Sequence, residues 1–230
     1  MAQFGRVLEW GSRGRKFESC HSDQYNRLSH DNRFFLGGIM KKVIKTLMKH
    51  AEDFGFTHSG ELNLDSLVFM PEVRQMCNSD LCKSYNKNWM CPPAIGTLEN
   101  VALRVKNYNF GMIVQTTALM EDEFDYDTIH NTEIKHKNNF MKLVDDLKSN
   151  YSDILPMSAG TCSICNKCSY PDEPCRFPNK AIGSMESYGL WVSKVCELSN
   201  IPYYYGKNTL TFTSCYLLNL HNIDILDKIT

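Results

Sequence analysis

Phe110-Gly111-Met112-Ile113-Val114-Gln115-Thr116-Thr117-Ala118-Leu119 is the stretch that decides how this chain folds. It is apolar and partly β-branched, and so predicts a buried strand. Helical patterns stand on both sides of it. Upstream, Thr97 can cap a helix over residues 97–106, with Leu98, Val101 and Val105 on one side. Downstream, an acidic loop over 121–127 leads to a helix over about 131–150, whose buried stripe is Phe140, Leu143, Val144 and Leu147.

The pattern continues outward. Residues 41–54 place Ile44, Leu47, Met48 and Ala51 on one helical face, and Gly55 supplies a stop. A short extended segment is expected over 64–69. Ser184 can cap a helix that ends near Asn200, before Pro202. Residues 203–205 and Thr209–Leu218 flank Gly206-Lys207-Asn208 and predict a hairpin. Helices thus alternate with strands. The fold class is α/β or α+β: a single compact domain with a mixed sheet, flanking helices and two cysteine-rich loops inserted between its elements.

The first loop to consider is Cys162-Ser163-Ile164-Cys165-Asn166-Lys167-Cys168, followed by Cys175 within Pro174-Cys175-Arg176-Phe177-Pro178. Three cysteines separated by two residues each cannot all pair among themselves without strain. The polar, proline-bearing stretch also lacks the periodicity of a core element. Metal ligation remains. Bacterial ferredoxins open with the same C-x2-C-x2-C and then use C-x3-C-P, so the C-x6-C gap here makes the match partial. The spacing favours a [4Fe-4S] cluster, and zinc is the alternative, since thiolates suit both. Lys167, Arg176 and Lys180 can offset thiolate charge.

The second group is Cys77, Cys82 and Cys91, spaced C-x4-C-x8-C and followed by Pro92-Pro93. Beside lysines and turn residues it reads as a second metal site, or as part of one shared site. It brings only three thiols. A fourth ligand is open among His58, His50, a carboxylate, water or a substrate. Cys196 and Cys215 lie in apolar helical and strand-like runs and read as core. His130 and His136, six apart, fall on different faces of a helix, so they form no HExxH-like pair. No residue acquires a catalytic role.

The chain has 230 residues, 43% hydrophobic and 22% charged, with net charge −1. This balance predicts no nucleic-acid partner. No long uncharged apolar run predicts a membrane span. Ten cysteines without a secretory signal fit metal sites in a reducing compartment, with the cytoplasm as the expected address.

Residues 1–39 differ in kind. They hold five of eight arginines and one of seventeen lysines. Lys16-Phe17-Glu18-Ser19 can be encoded with the GTTCGA core of a transfer-RNA T-arm. The expectation is that 1–39 is a non-native or disordered extension, that Met40 is the native start, and that 40–230 is the metal-binding α/β domain. On that reading Cys20 and His21 have no role.

The combination of Val73-Arg74-x2-Cys77-x4-Cys82, Tyr85-x3-Trp89-x-Cys91-Pro92-Pro93, the 162–178 loop and Ser184-Met185-Glu186-x-Tyr188-Gly189 resembles a prokaryotic family of predicted metal-binding proteins, domain of unknown function 2284. The resemblance spans most of residues 40–220. It implies ligation by Cys77, Cys82, Cys91, Cys162, Cys165, Cys168 and Cys175, and implies no reaction. The expected function is an iron-sulfur protein of electron transfer or a redox enzyme, served by a redox partner or a small-molecule substrate. A zinc-stabilised binding module without catalysis is the alternative.

Overall fold

The computed structural model describes residues 29–220. Cys20, His21 and most of the 1–39 segment lie outside the described residues. By compactness the chain divides into Met1–Lys41 and Lys42–Thr230. The sheet and every helix after the first belong to the second unit.

The elements, in chain order, are α1 (Ser29–Asp53), β1 (His58–Glu61), α2 (Pro71–Asn78), α3 (Leu98–Val105), β2 (Phe110–Leu119), α4 (Tyr126–Asn150), β3 (Ile154–Met157), α5 (Val192–Leu198) and β4 (Thr209–Leu218). Single 3-10 turns stand at Leu64–Ser66 and Glu186–Tyr188. Together they make one mixed α/β domain. The sheet runs β1-β2-β4-β3. All three strand pairings are antiparallel, where mixed directions were expected, and among the described residues parallel pairing is confined to the isolated Ser158–Ser184 bridge.

β2 is the predicted buried strand, over the predicted residues, and it is covered on both faces. On one face lies α4, whose Phe140, Leu143, Val144 and Leu147 are buried as its stripe requires. Tyr216 of β4 stacks on Phe140 at 4.9 Å and donates its hydroxyl to the Phe140 carbonyl at 3.1 Å. On the other face Ile113, Cys215 and Leu217 join Val101 and Val105 of α3, Val195 and Cys196 of α5, and Met185, Tyr188 and Leu190 between them. Cys196 and Cys215 are therefore core, as read from sequence.

Several expected elements differ, each for a local reason. The 131–150 helix starts earlier, at Tyr126, because the Asp125 carboxylate accepts from the Thr128 N–H at 3.0 Å and caps it. Residues 64–69 are not extended: Asn63 accepts from the Asp65 N–H and starts a 3-10 turn, leaving only Phe69 to pair with Leu190. The single helix expected over 184–200 is two pieces. The Ser184 hydroxyl does accept from the Ser187 N–H, but Gly189 at φ +86° ends that turn. The 203–205 hairpin arm is absent because β2 and β3 already occupy both edges of β4. Tyr205 instead donates to Gln115 Oε1 at 2.6 Å and stacks on His58. Pro156 sits inside β3, an edge strand, where a missing N–H is tolerated.

Candidate metal centre

The first cysteine group is not wholly a loop. Pro71 at the first turn of α2 starts a helix that ends at Asn78, and Cys77 rides on its last turn. Val73 anchors this helix in the core. The chain then turns back, with Asp80 holding the Tyr85 N–H at 3.0 Å and the Lys87 ammonium at 2.6 Å. Cys82 is exposed on the turn and Cys91 is buried. The second group, Cys162 to Cys175, lies in irregular chain after β3 and is half-buried throughout. Arg176 closes that loop by donating to the Lys167 carbonyl at 2.9 Å.

The two loops, 70 residues apart in sequence, are laced together. Asn88 donates to the Cys162 carbonyl at 3.1 Å, Trp89 Nε1 to the Glu173 carbonyl at 3.0 Å, and the Tyr170 hydroxyl to Asn86 Oδ1 at 2.9 Å. The Trp89 and Tyr170 rings meet edge to face. Burial pushes the Cys91 thiol up to about 12, and the charges of Cys82, Cys77, Cys162 and Cys168 push in the same direction. The charges of both groups thus reach Cys91.

Cys77, Cys82 and Cys91 line a cavity of about 460 Å³, with Met76, Leu81 and Glu186. Cys162, Cys165, Cys168 and Cys175 line another of about 240 Å³, with Lys83, Lys87 and Arg176. The two cavities share Thr161 as a wall. The cations beside the second cavity therefore come largely from the first loop, as Lys83 and Lys87, a partnership that sequence proximity did not indicate. Of the cations proposed from sequence, Arg176 borders it, Lys180 borders an adjoining cavity that shares Thr161, Cys162 and Ile164 with it, and Lys167 lines neither.

The histidines proposed as a fourth ligand are engaged elsewhere. His50 Nε2 pairs with Asp146 at 2.8 Å, and His58 stacks on Tyr205 at 4.2 Å. The group that sequence order concealed is Glu186. It borders the first cavity, its carbonyl accepts from the Cys77 thiol at 3.9 Å, and its charge adds to burial in raising the Cys77 thiol. Its only sequence signal was its place in the Ser184-Met185-Glu186 motif.

Among the described residues, no three His, Cys, Asp or Glu side chains are grouped closely enough to hold a single metal ion. The thiols line the walls of the two cavities instead. The donor set fits a thiolate-bound centre in chemistry. The sulfurs are soft, no disulfide ties them among the described residues, and Lys83, Lys87 and Arg176 border the four-cysteine cavity. Two nitrogens of Arg74, three residues before Cys77, are buried without a hydrogen-bond partner.

Residues 60–218 match a family described as predicted metal-binding protein, DUF2284. The chain belongs to this family. All seven of the cysteines considered above fall within the matched span, as do Arg74 and Glu186. Comparison with curated proteins and with solved structures finds no match. Family membership establishes predicted metal binding and goes no further toward a metal or a reaction.

Proposed function

We propose that this member of the DUF2284 family is an iron-sulfur protein serving electron transfer or a redox enzyme. Cys162, Cys165, Cys168 and Cys175 hold one [4Fe-4S] cluster. Cys77, Cys82 and Cys91 hold a second, with Glu186, water or a substrate at the remaining position. The observation that carries this reading is the placement of seven thiols along the walls of two adjoining cavities, four in one and three in the other. When bound, such clusters supply one-electron chemistry. The protein's own contribution is to keep the thiols apart, to place Lys83, Lys87 and Arg176 beside the anionic sulfurs, and to shield Cys91 from water.

The larger cavity, although it has fewer thiols, has apolar walls at Met76 and Leu81 and room beyond a metal centre. That shape supports a small-molecule substrate at the three-cysteine end and electron entry at the four-cysteine end. Among the described residues no helix is long and apolar enough to cross a membrane. Free thiols in this number suit a reducing compartment, the cytoplasm.

The test is metal content and visible absorption of the full chain purified without oxygen. A brown protein with about four or eight irons per chain supports one or two clusters. A colourless protein with stoichiometric zinc overturns the redox reading and leaves a zinc-stabilised binding module.

A further inference from the structure

We infer that Arg74 is the built-in counter-charge of the metal–thiolate centre at Cys77, Cys82 and Cys91. The inference rests on the metal-binding reading above and adds to it a residue that is not itself a ligand. Arg74 and Cys77 are three apart on α2 and share one helical face. Arg74 Nη1 donates to the Gly96 carbonyl at 3.0 Å, which fixes the side chain against the turn before α3. Nε and Nη2 are buried and have no hydrogen-bond partner.

No carboxylate pairs with this guanidinium among the described residues; the ion pairs there are His50–Asp146, Lys87–Asp80, Lys137–Glu133 and Lys194–Glu197. Cys77 is the foremost charge acting in its favour, ahead of Tyr188. A buried cation without an opposite charge is costly, and folded proteins pair such groups or give them up. Arg74 is half-buried with two of its nitrogens closed to solvent, and an anion beside it offsets that cost. Three thiolates around a divalent ion, or around a cluster core of the same charge, leave net negative charge at Cys77, on the face Arg74 shares.

A free anion is the rival partner, because Arg74 also borders a polar surface cavity with Gln75, Asn78 and Asn100. Its unpartnered nitrogens are closed to solvent, however, and an ion in that open cavity does not touch them. The charge is balanced from within.

The experiment compares the full chain with Arg74→Gln and Arg74→Lys. Metal retention is measured against a competing chelator, and thermal unfolding is measured with and without metal. Arg74→Gln should weaken metal retention about ten-fold or more, the usual effect of losing a residue that supports the ligands. It should leave the metal-free protein as stable as before or more so, since an uncompensated buried charge has gone. Arg74→Lys keeps the charge and should restore most of the retention. The inference is overturned if Arg74→Gln binds metal as tightly as the unaltered chain, or if both variants lose metal equally. It is also overturned if inorganic phosphate stabilises the unaltered chain but not Arg74→Gln, which would assign the charge to a soluble anion. An unaltered chain without metal removes the proposed function and this inference together. Unchanged retention in Arg74→Gln by a metal-loaded chain removes this inference alone.

Discussion

Asn88 Nδ2 donates to the backbone carbonyl of Cys162 at 3.1 Å, joining the loop that ends in Cys91 to the loop that begins the four-cysteine run. The same side chain accepts from the Met90 N–H at 2.9 Å, so it shapes its own turn while holding the other loop. Asn88 is buried, and its amide therefore depends on these partners.

Replacing Asn88 by Ala should leave the Cys162 carbonyl and the Met90 N–H short of partners, at a cost of about 1–3 kcal/mol. Because both loops carry thiols, metal retention should fall together with the midpoint of denaturant unfolding. Loss of stability with full metal retention would show that the loops hold their thiols independently, against the shared arrangement described above.

The cysteines should divide into two classes. Cys165→Ser should remove the metal of the four-thiol cavity, and Cys91→Ser that of the three-thiol cavity. Cys196→Ser and Cys215→Ser should leave metal content unchanged, since both thiols are fully buried in the core. Alkylation of the native, metal-free protein should modify exposed Cys82 first. Burial pushes the Cys196 thiol up to about 11, and that of Cys215 further, so both should react only on unfolding. Iron or zinc counts on each variant, with mass spectrometry of the alkylated peptides, decide the matter.

What was legible in the sequence was whatever depended on neighbours along the chain. The Phe110–Leu119 strand and the Phe140–Leu147 stripe announce themselves because apolar residues recur at the spacing of the element that buries them. The cysteine spacing is local in the same sense. What was not legible depended on pairing across distance. Residues 203–205 look like a hairpin arm, yet β4 finds its partners in β2 and β3, so no edge is left for them. At the candidate centre, His50 and His58 lay close to the cysteines in sequence and proved to be engaged elsewhere. Glu186, 109 residues from Cys77, came to the cavity through the turn that Gly189 ends.

That turn gives a third prediction. Gly189 has φ +86°, and an added Cβ would lie 2.6 Å from Leu98 Cδ2 and 3.3 Å from the Met70 carbonyl. Its own carbonyl accepts from the Met70 N–H at 2.8 Å, immediately before α2 begins at Pro71. Gly189→Ala should therefore cost about 2–3 kcal/mol through strain and contact. The strain should reach Cys77 through α2. Thermal unfolding should show the loss of stability, and chelator competition should show weaker metal retention. A variant with a lowered melting temperature and unaltered retention would separate α2 from the centre.

The last prediction concerns acid. His136 is buried between Thr116 Oγ1, 2.9 Å from Nδ1, and Ser214 Oγ, 2.7 Å from Nε2, with Phe56 and Phe212 against its ring. Burial, helped by the neighbouring Lys137 charge, lowers its pKa to about 4. The unfolded chain takes up the proton near pH 6.5 and the folded chain only near 4, so the unfolded state binds more protons in between. The stability that neutral His136 contributes is therefore present above about pH 6.5 and is lost as pH falls toward 4, by about 3 kcal/mol in all. Ser214 Oγ also accepts from the Ala159 N–H at 2.8 Å, three residues before Cys162, so the loss should loosen the entry to the four-cysteine loop. Denaturant unfolding of metal-free protein across this pH range should show the slope, and His136→Asn should flatten it. A slope unchanged in that variant would place the acid sensitivity in other groups and leave His136 a neutral packing residue.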